Sequence, residues 1–230
     1  METKPNETKA NTLTVRQKIA YFSDHITTVC HVLILWYVLY TWYIAFIADG
    51  WNLSNLSLHA TLYVQGWTFL MLEGIMAISP NNVVSRHLSP DNRNRLHTVL
   101  QIMSAAFCLA GYLILYLNSS RHLMTPHSKT GFASLVLTLP TCINGFTALF
   151  AVELKRFISP GAHKLIHSVC GIATFVVGTV SLYYGLDKGW YRFRVGEDTV
   201  KYTKAVILFT LIWPMIQPLL TCFERIRYMF

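Results

Sequence analysis

The chain has 230 residues, 53% of them hydrophobic and only 13% charged. That balance excludes a soluble globular domain and marks a polytopic, all-α membrane protein. The net charge of +8 lies in the polar stretches between apolar ones, so no nucleic acid is expected as a partner, only membrane lipid.

Residues 1–20 form a polar tail of mixed charge. It lacks the short apolar core and small-residue cleavage site of a signal peptide, so the first apolar stretch is expected to be retained. That stretch, 25–48, carries His25, His31 and the aromatics Trp36, Tyr37, Tyr40, Trp42 and Tyr43, which suit membrane-belt and packing roles. His25 and His31 are six apart, face different ways and are read as interfacial residues without a partner. Further apolar stretches run over 58–79, 97–117, 127–150, 165–186 and 205–223, the last interrupted by Pro214 and Pro218. Each is about 20 residues, enough helix to cross ~30 Å of hydrocarbon. The predicted architecture is therefore six transmembrane helices over 21–224, with tails at 1–20 and 225–230. Helices 2–5 form a four-helix core and two helices flank it. Between the second and third spans, 81–96 reads as a basic loop with Ser79-Pro80 and Ser89-Pro90 as breakers.

An even number of helices puts both termini on one side. That side carries twelve Lys and Arg residues and the other seven, so the positive-inside rule predicts both termini in the cytosol. The glycosylation sequons at Asn52, Asn55 and Asn118 fall in outer loops on this topology. Five cysteines lie in apolar stretches without Cys-x-x-Cys spacing and are read as packing residues, which excludes a zinc ribbon and covalently attached haem.

Four histidines organise the rest. His59, His97, His127 and His167 each stand at or near the start of a predicted span. Successive spans run in opposite directions, so His59 meets His127 near the outer face and His97 meets His167 near the inner face. Two facing pairs of neutral imidazoles are what two bis-histidine haems need. Small residues follow along each histidine's face: Gly66 after His59, Ser104 and Gly111 after His97, Gly131 and Ser134 after His127, Gly171 and Gly178 after His167. They are expected to leave room for a flat macrocycle, or to let helices pack closely.

Other candidates surround these pairs. Glu73 is an acid inside an apolar run, a costly placement expected to serve an inner ligand, a proton relay or a helix–helix bond. Arg93, Arg95 and Lys164 precede the inner histidines and are expected to hold haem propionates or an anionic reductant, or to orient the helices by charge. His122, five before His127, is placed to contact an acceptor at the outer face. The last outer loop adds Lys188, Trp190, Tyr191, Arg192 and Arg194, either a rim for an anionic acceptor or a solvated loop.

From about residue 20 to 225 the chain resembles the cytochrome b561 family. The resemblance rests on the histidine spacing and on FLMLEGIMAISP after His59, RHLMTPHSKTG around His127 and HKLIHSVCG around His167. It is strongest toward the short metazoan branch, described as transmembrane ascorbate-dependent ferric reductases. The resemblance implies two haem b groups, an outer one on His59 and His127 and an inner one on His97 and His167. It implies ascorbate as cytosolic donor and a ferric chelate or monodehydroascorbate as acceptor, with His122 matching a histidine linked to substrate. The basic, aromatic motif that chromaffin-granule-type members carry at the cytosolic end of the second helix is replaced here by MAISPNN. Two rival readings remain at this point: a haem-free transporter using the histidines for a metal or protons, and a structural subunit without a site. The membrane involved and the assembly state, a homodimer included, stay open.

Overall fold

The computed structural model describes residues 15–227; residues 1–14 and 228–230 of the expected tails lie outside the described residues. Among the described residues it is all helical. The elements are α1 (Val15–Asp49), α2 (Asn55–Tyr63), a π-helical segment (Val64–Met71), α3 (Leu72–Ala77), α4 (Pro90–Leu117), α5 (Pro126–Leu149), a 3₁₀ turn (Glu153–Arg156), α6 (Pro160–Gly185), α7 (Gly189–Val195) and α8 (Glu197–Arg227). Five of these, α1, α4, α5, α6 and α8, are long and apolar enough to cross a membrane. In the expected sixth span, α2, the π segment and α3 follow one another through right-handed junctions at Tyr63–Val64 and Met71–Leu72. The wider turn of the π segment divides that stretch.

The helix starts have a shared local cause. Ser89, Thr125 and Ser159 are N-caps in extended conformation, each followed by proline at the first helical position. Their hydroxyl oxygens accept from the backbone N–H three residues on, and proline there loses no needed donor. So Ser89-Pro90 begins α4 rather than merely breaking a helix, and 90–96, expected as loop, is its first two turns. At the outer end of α1, Gly50 takes φ +63°, and its N–H donates to the Phe46 carbonyl. The chain then re-enters at Ser54, whose N–H and hydroxyl both donate to Asp49 Oδ2.

The core is two tightly packed helix pairs. The first joins α2–π–α3 to α4; the second joins α5 to α6. Small residues make the first pair close. A Cβ on Gly66 would stand 2.8 Å from Cys108 Sγ, and one on Gly111 would stand 3.1 Å from the Tyr63 ring and 3.3 Å from the His59 carbonyl. These two glycines thus seat helix against helix, the second of the two expected roles, and not a macrocycle. Gly178 receives Trp67, whose indole stacks on Phe175 at 6.3 Å and donates to Thr179 Oγ1 at 3.3 Å.

The flanking helices α1 and α8 close over this core. One buried cluster, including Tyr37, Val64, Leu186 and Ile207, packs their halves toward the His59–His127 end; another, including Cys30, Trp67, Phe175 and Met215, packs the rest. The segment between the last two long helices is not a plain solvated loop. It folds as α7, which buries Trp190 and Tyr191: the Trp190 indole donates to Ser57 Oγ at 2.9 Å and the Tyr191 hydroxyl bonds Thr203 Oγ1 at 2.8 Å. Burial pushes the Tyr191 phenol up to about 12, so it stays a neutral hydrogen-bonding group. Large apolar side chains such as Ile102, Leu139 and Phe223 face outward, as a lipid solvent requires.

Candidate functional site

The four histidines meet as two pairs. His59 on α2 faces His127 on α5 with ring centroids 6.1 Å apart and planes at 83°. His97 on α4 faces His167 on α6 at 6.1 Å and 86°. Each pair draws one histidine from each tight helix pair, so both lie across the seam between them.

Each ring is fixed by its neighbour within the tight pair. Nδ1–H of His59 donates to the Gly111 carbonyl at 2.9 Å, and that of His97 to the Gly74 carbonyl at 2.9 Å. Nδ1–H of His127 donates to the Ser181 carbonyl at 2.8 Å, and that of His167 to the Thr141 carbonyl at 3.3 Å. A carbonyl only accepts, so the proton is on Nδ1 and Nε2 keeps its lone pair. That is the tautomer of a metal-ligating histidine, whose other ring nitrogen donates to a fixed acceptor. The separation agrees. Imidazole–metal distances of ~2 Å on both sides of one ion put the ring centroids about 6.3 Å apart. The donor set and spacing fit a haem iron.

Two glycines missed by sequence reasoning complete the seating. A Cβ on Gly145 would stand 3.0 Å from His167 Cε1, and one on Gly185 3.1 Å from His127 Cε1. Each lies 18 residues, five full turns, after the histidine on its own helix, hence on the same face at the opposite end. That spacing, repeated in α5 and α6, was the signal available.

Around His59 and His127 lies a cavity of about 560 Å³, lined by both rings, Tyr63, Tyr112, Phe132 and Gly178. Its mouth carries Arg121, Lys188 and His122; the His122 ring stacks on Tyr116 at 4.2 Å. His122 thus lines the cavity that holds His59 and His127. Lys188 keeps its rim position, whereas Arg192 pairs with Glu197 and Arg194 lies over the Trp190 ring at 5.3 Å. Arg121 is a further cation at this mouth.

At the other end, Arg93 is half-buried and donates to the Leu88 carbonyl, while Arg95 and Lys164 are exposed. All three sit within two turns of His97 or His167 on the same helices; among the described residues no hydrogen bond joins their side chains to that pair. A cation not anticipated there is Arg225 of α8, whose Nη1 donates to the Lys164 carbonyl and to Ser168 Oγ, both at 3.0 Å.

His31 is not the unpartnered interfacial residue that the sequence suggested. Its Nδ1–H donates to Glu73 Oε1 at 2.8 Å, tying α1 to α3 with both side chains more than four-fifths buried. Glu73 thereby takes its helix–helix role. The reason is reach: α1 packs along the second helical run, a contact that residue spacing does not encode. His25 instead meets Tyr21 edge to face.

Helical pairs that hold facing imidazoles inside an apolar exterior define a membrane haem protein. The family model for eukaryotic cytochrome b561 matches residues 58–192, a stretch that contains all four histidines, and the chain belongs to that family. Members of this family bind haem b. Among curated proteins the chain is similar to transmembrane reductase CYB561D2 of Homo sapiens, 29% identical over 147 residues. It is 30% identical over 147 residues to the protein of the same name from Mus musculus. In both cases the match covers 62% of this chain and 65% of the relative, less than two thirds of its length. No solved structure matches the chain.

Proposed function

We propose that the chain is a six-span, di-haem b oxidoreductase that carries electrons from cytosolic ascorbate across the membrane to a ferric chelate or monodehydroascorbate. The observation that carries this reading is the two histidine couples, each with ring centroids 6.1 Å apart and every Nδ1 committed to a carbonyl. The relatives' name, transmembrane reductase, supports it. His59 and His127 would hold the outer haem, His97 and His167 the inner one. A haem held between two histidines would supply one-electron transfer and not oxygen activation.

The chain's own residues then do three things. The carbonyls of Gly111, Gly74, Ser181 and Thr141 orient the ligands before the cofactor arrives. The tight helix pairs hold the two histidines of each couple on opposite sides of the seam. The cations at each end attract anions: Arg121 and Lys188, with His122, at the outer mouth; Arg93, Arg95 and Lys164 at the cytosolic end, which on this reading holds both termini. The rival transporter wants an acid beside the histidines, and Glu73 is engaged by His31 instead.

The test is a reduced-minus-oxidised visible spectrum of the purified chain, titrated with ascorbate, with haem counted per chain. Two b haems reduced in separate phases are expected, and one in each of His97→Ala and His127→Ala. No Soret band after expression with haem supplied overturns the reading.

A further inference from the structure

Between the two histidine couples the seam is crossed by one pair of stacked rings. Trp67, in the π-helical segment, and Phe175, on α6, lie with ring centroids 6.3 Å apart and planes within 6° of parallel. Both are buried to 2% exposure. Among the described residues, one other ring contact outside the couples joins the first tight helix pair to the second, Tyr112 to Phe132. It lies at the His59–His127 end, since Tyr112 follows Gly111, whose carbonyl holds His59.

The height of the Trp67–Phe175 stack is central. Trp67 stands eight residues after His59 and seven before Gly74, whose carbonyl holds His97. By the helical rise of ~1.5 Å per residue, that is roughly 10–12 Å from either level. Phe175 stands eight after His167 and six before Ser181, whose carbonyl holds His127. Each ring therefore rises from a helical run that serves both couples, and the two meet about halfway.

The stack is built at a local cost. Glycine at 178 lets the indole edge enter α6: a Cβ there would stand 1.9 Å from Trp67 Cζ2. The indole N–H donates to Thr179 Oγ1 at 3.3 Å, which fixes the ring plane. Trp67 also rises from a π-helical turn, a rare form that occurs frequently at functional sites. Leucine facing alanine would pack such a seam with ordinary helix on both sides.

We infer that Trp67 and Phe175 form the bridge through which an electron crosses between the two histidine couples. The inference rests on the electron-transfer reading above and names the residues that conduct between its two sites. Parallel rings in offset contact offer delocalised π electrons where saturated side chains offer none, and close packing leaves no gap between them. One electron leaves the inner site and one arrives at the outer site. No bond forms, no proton moves, and neither ring is oxidised or reduced in the net step.

The test is laser-flash reduction of the haem-loaded full chain in nanodiscs. A ruthenium photoreductant is linked to a cysteine in the exposed loop before α4, His87→Cys, with Cys142→Ser to keep labelling specific. The absorbance phase that His127→Ala lacks reports arrival at the outer site. Trp67→Leu and Phe175→Leu are each expected to slow that phase several-fold or more, with haem count and both midpoint potentials unchanged. Trp67→Phe keeps a ring and is expected to recover most of the rate. A packing role alone would lower the thermal midpoint in all three variants and leave the phase untouched. In the haem-free chain, Phe175→Leu is expected to alter the near-ultraviolet circular dichroism band that Trp67→Phe removes. If Trp67→Leu fails to fold, Phe175→Leu decides alone. Wild-type rates in the leucine variants overturn the inference, as does an indole band unchanged by Phe175→Leu. A wild-type chain with fewer than two haems sinks the electron-transfer reading itself, a distinct result.

Discussion

Each of the four rings is held by a backbone oxygen, with Ser181 Oγ a second contact of His127 Nδ1 at 3.2 Å, and substitution cannot delete the backbone bonds. They can be disturbed through the glycines that face the rings. Gly145 and Gly185 leave 3.0 and 3.1 Å between a would-be Cβ and a histidine Cε1, tighter than ordinary contact. Gly145→Val must therefore turn or push His167, and Gly185→Val must do the same to His127, at an overpacking cost of about 1–3 kcal/mol each. In the ferric protein Gly145→Val is expected to shift the low-spin electron paramagnetic resonance signal of one haem and Gly185→Val that of the other. Two unchanged spectra would show that the rings do not sit against these glycines. At this scale the pairing of the histidines was legible, because alternating helix direction fixes depth. Their carbonyl anchors were not, because Gly111, Gly74, Ser181 and Thr141 belong to neighbouring helices whose rotation no single-helix pattern reports. His31 was misread for the same reason.

Helix lengths could be read from hydropathy, but not the changes of helical type within them. The π segment Val64–Met71 carries Trp67, which is buried to 2% exposure between the two histidine levels. A wider turn there changes the phase of α3 relative to α2. Apolar periodicity averaged over 58–79 hides that change, just as the basic character of 187–204 hid α7 with its two buried aromatics. The Trp67 contact is specific to glycine: a Cβ at 178 would lie 1.9 Å from Trp67 Cζ2, and the indole is buried, so it has little room to move aside. Gly178→Ala is therefore expected to expel the indole from its place on Phe175 and cost about 3–5 kcal/mol, the range for losing a buried large side chain. The check is the thermal midpoint in detergent. Trp67→Phe should rescue much of the loss in the double variant, since the smaller ring vacates the contested space. An unchanged midpoint in Gly178→Ala would show that the two helices do not approach this closely.

The whole molecule is an inner four-helix frame closed by α1 and α8, and its few polar contacts between frame and flank decide how firmly it closes. At the His59–His127 end Trp190 to Ser57 and Tyr191 to Thr203, both through α7, do this; toward the other end His31 bonds Glu73, and Arg225 bonds the Lys164 carbonyl and Ser168 Oγ. In an apolar solvent a carboxyl group stripped of its partner cannot turn to water, so breaking this pair from one side leaves a desolvated polar group. His31→Phe alone and Glu73→Leu alone are each expected to destabilise by about 2–3 kcal/mol. The double variant, which leaves neither group orphaned, should cost less than the sum, a coupling of about 1 kcal/mol or more in a thermodynamic cycle. The haem spectrum bears on the role of the acid. If Glu73 serves the α1–α3 contact, all three variants keep both haem signals and their potentials while stability falls. If it serves an inner ligand, Glu73→Leu shifts the inner potential and His31→Phe does not. The same cycle thus measures how the flank is held and assigns the one acid found within an apolar span.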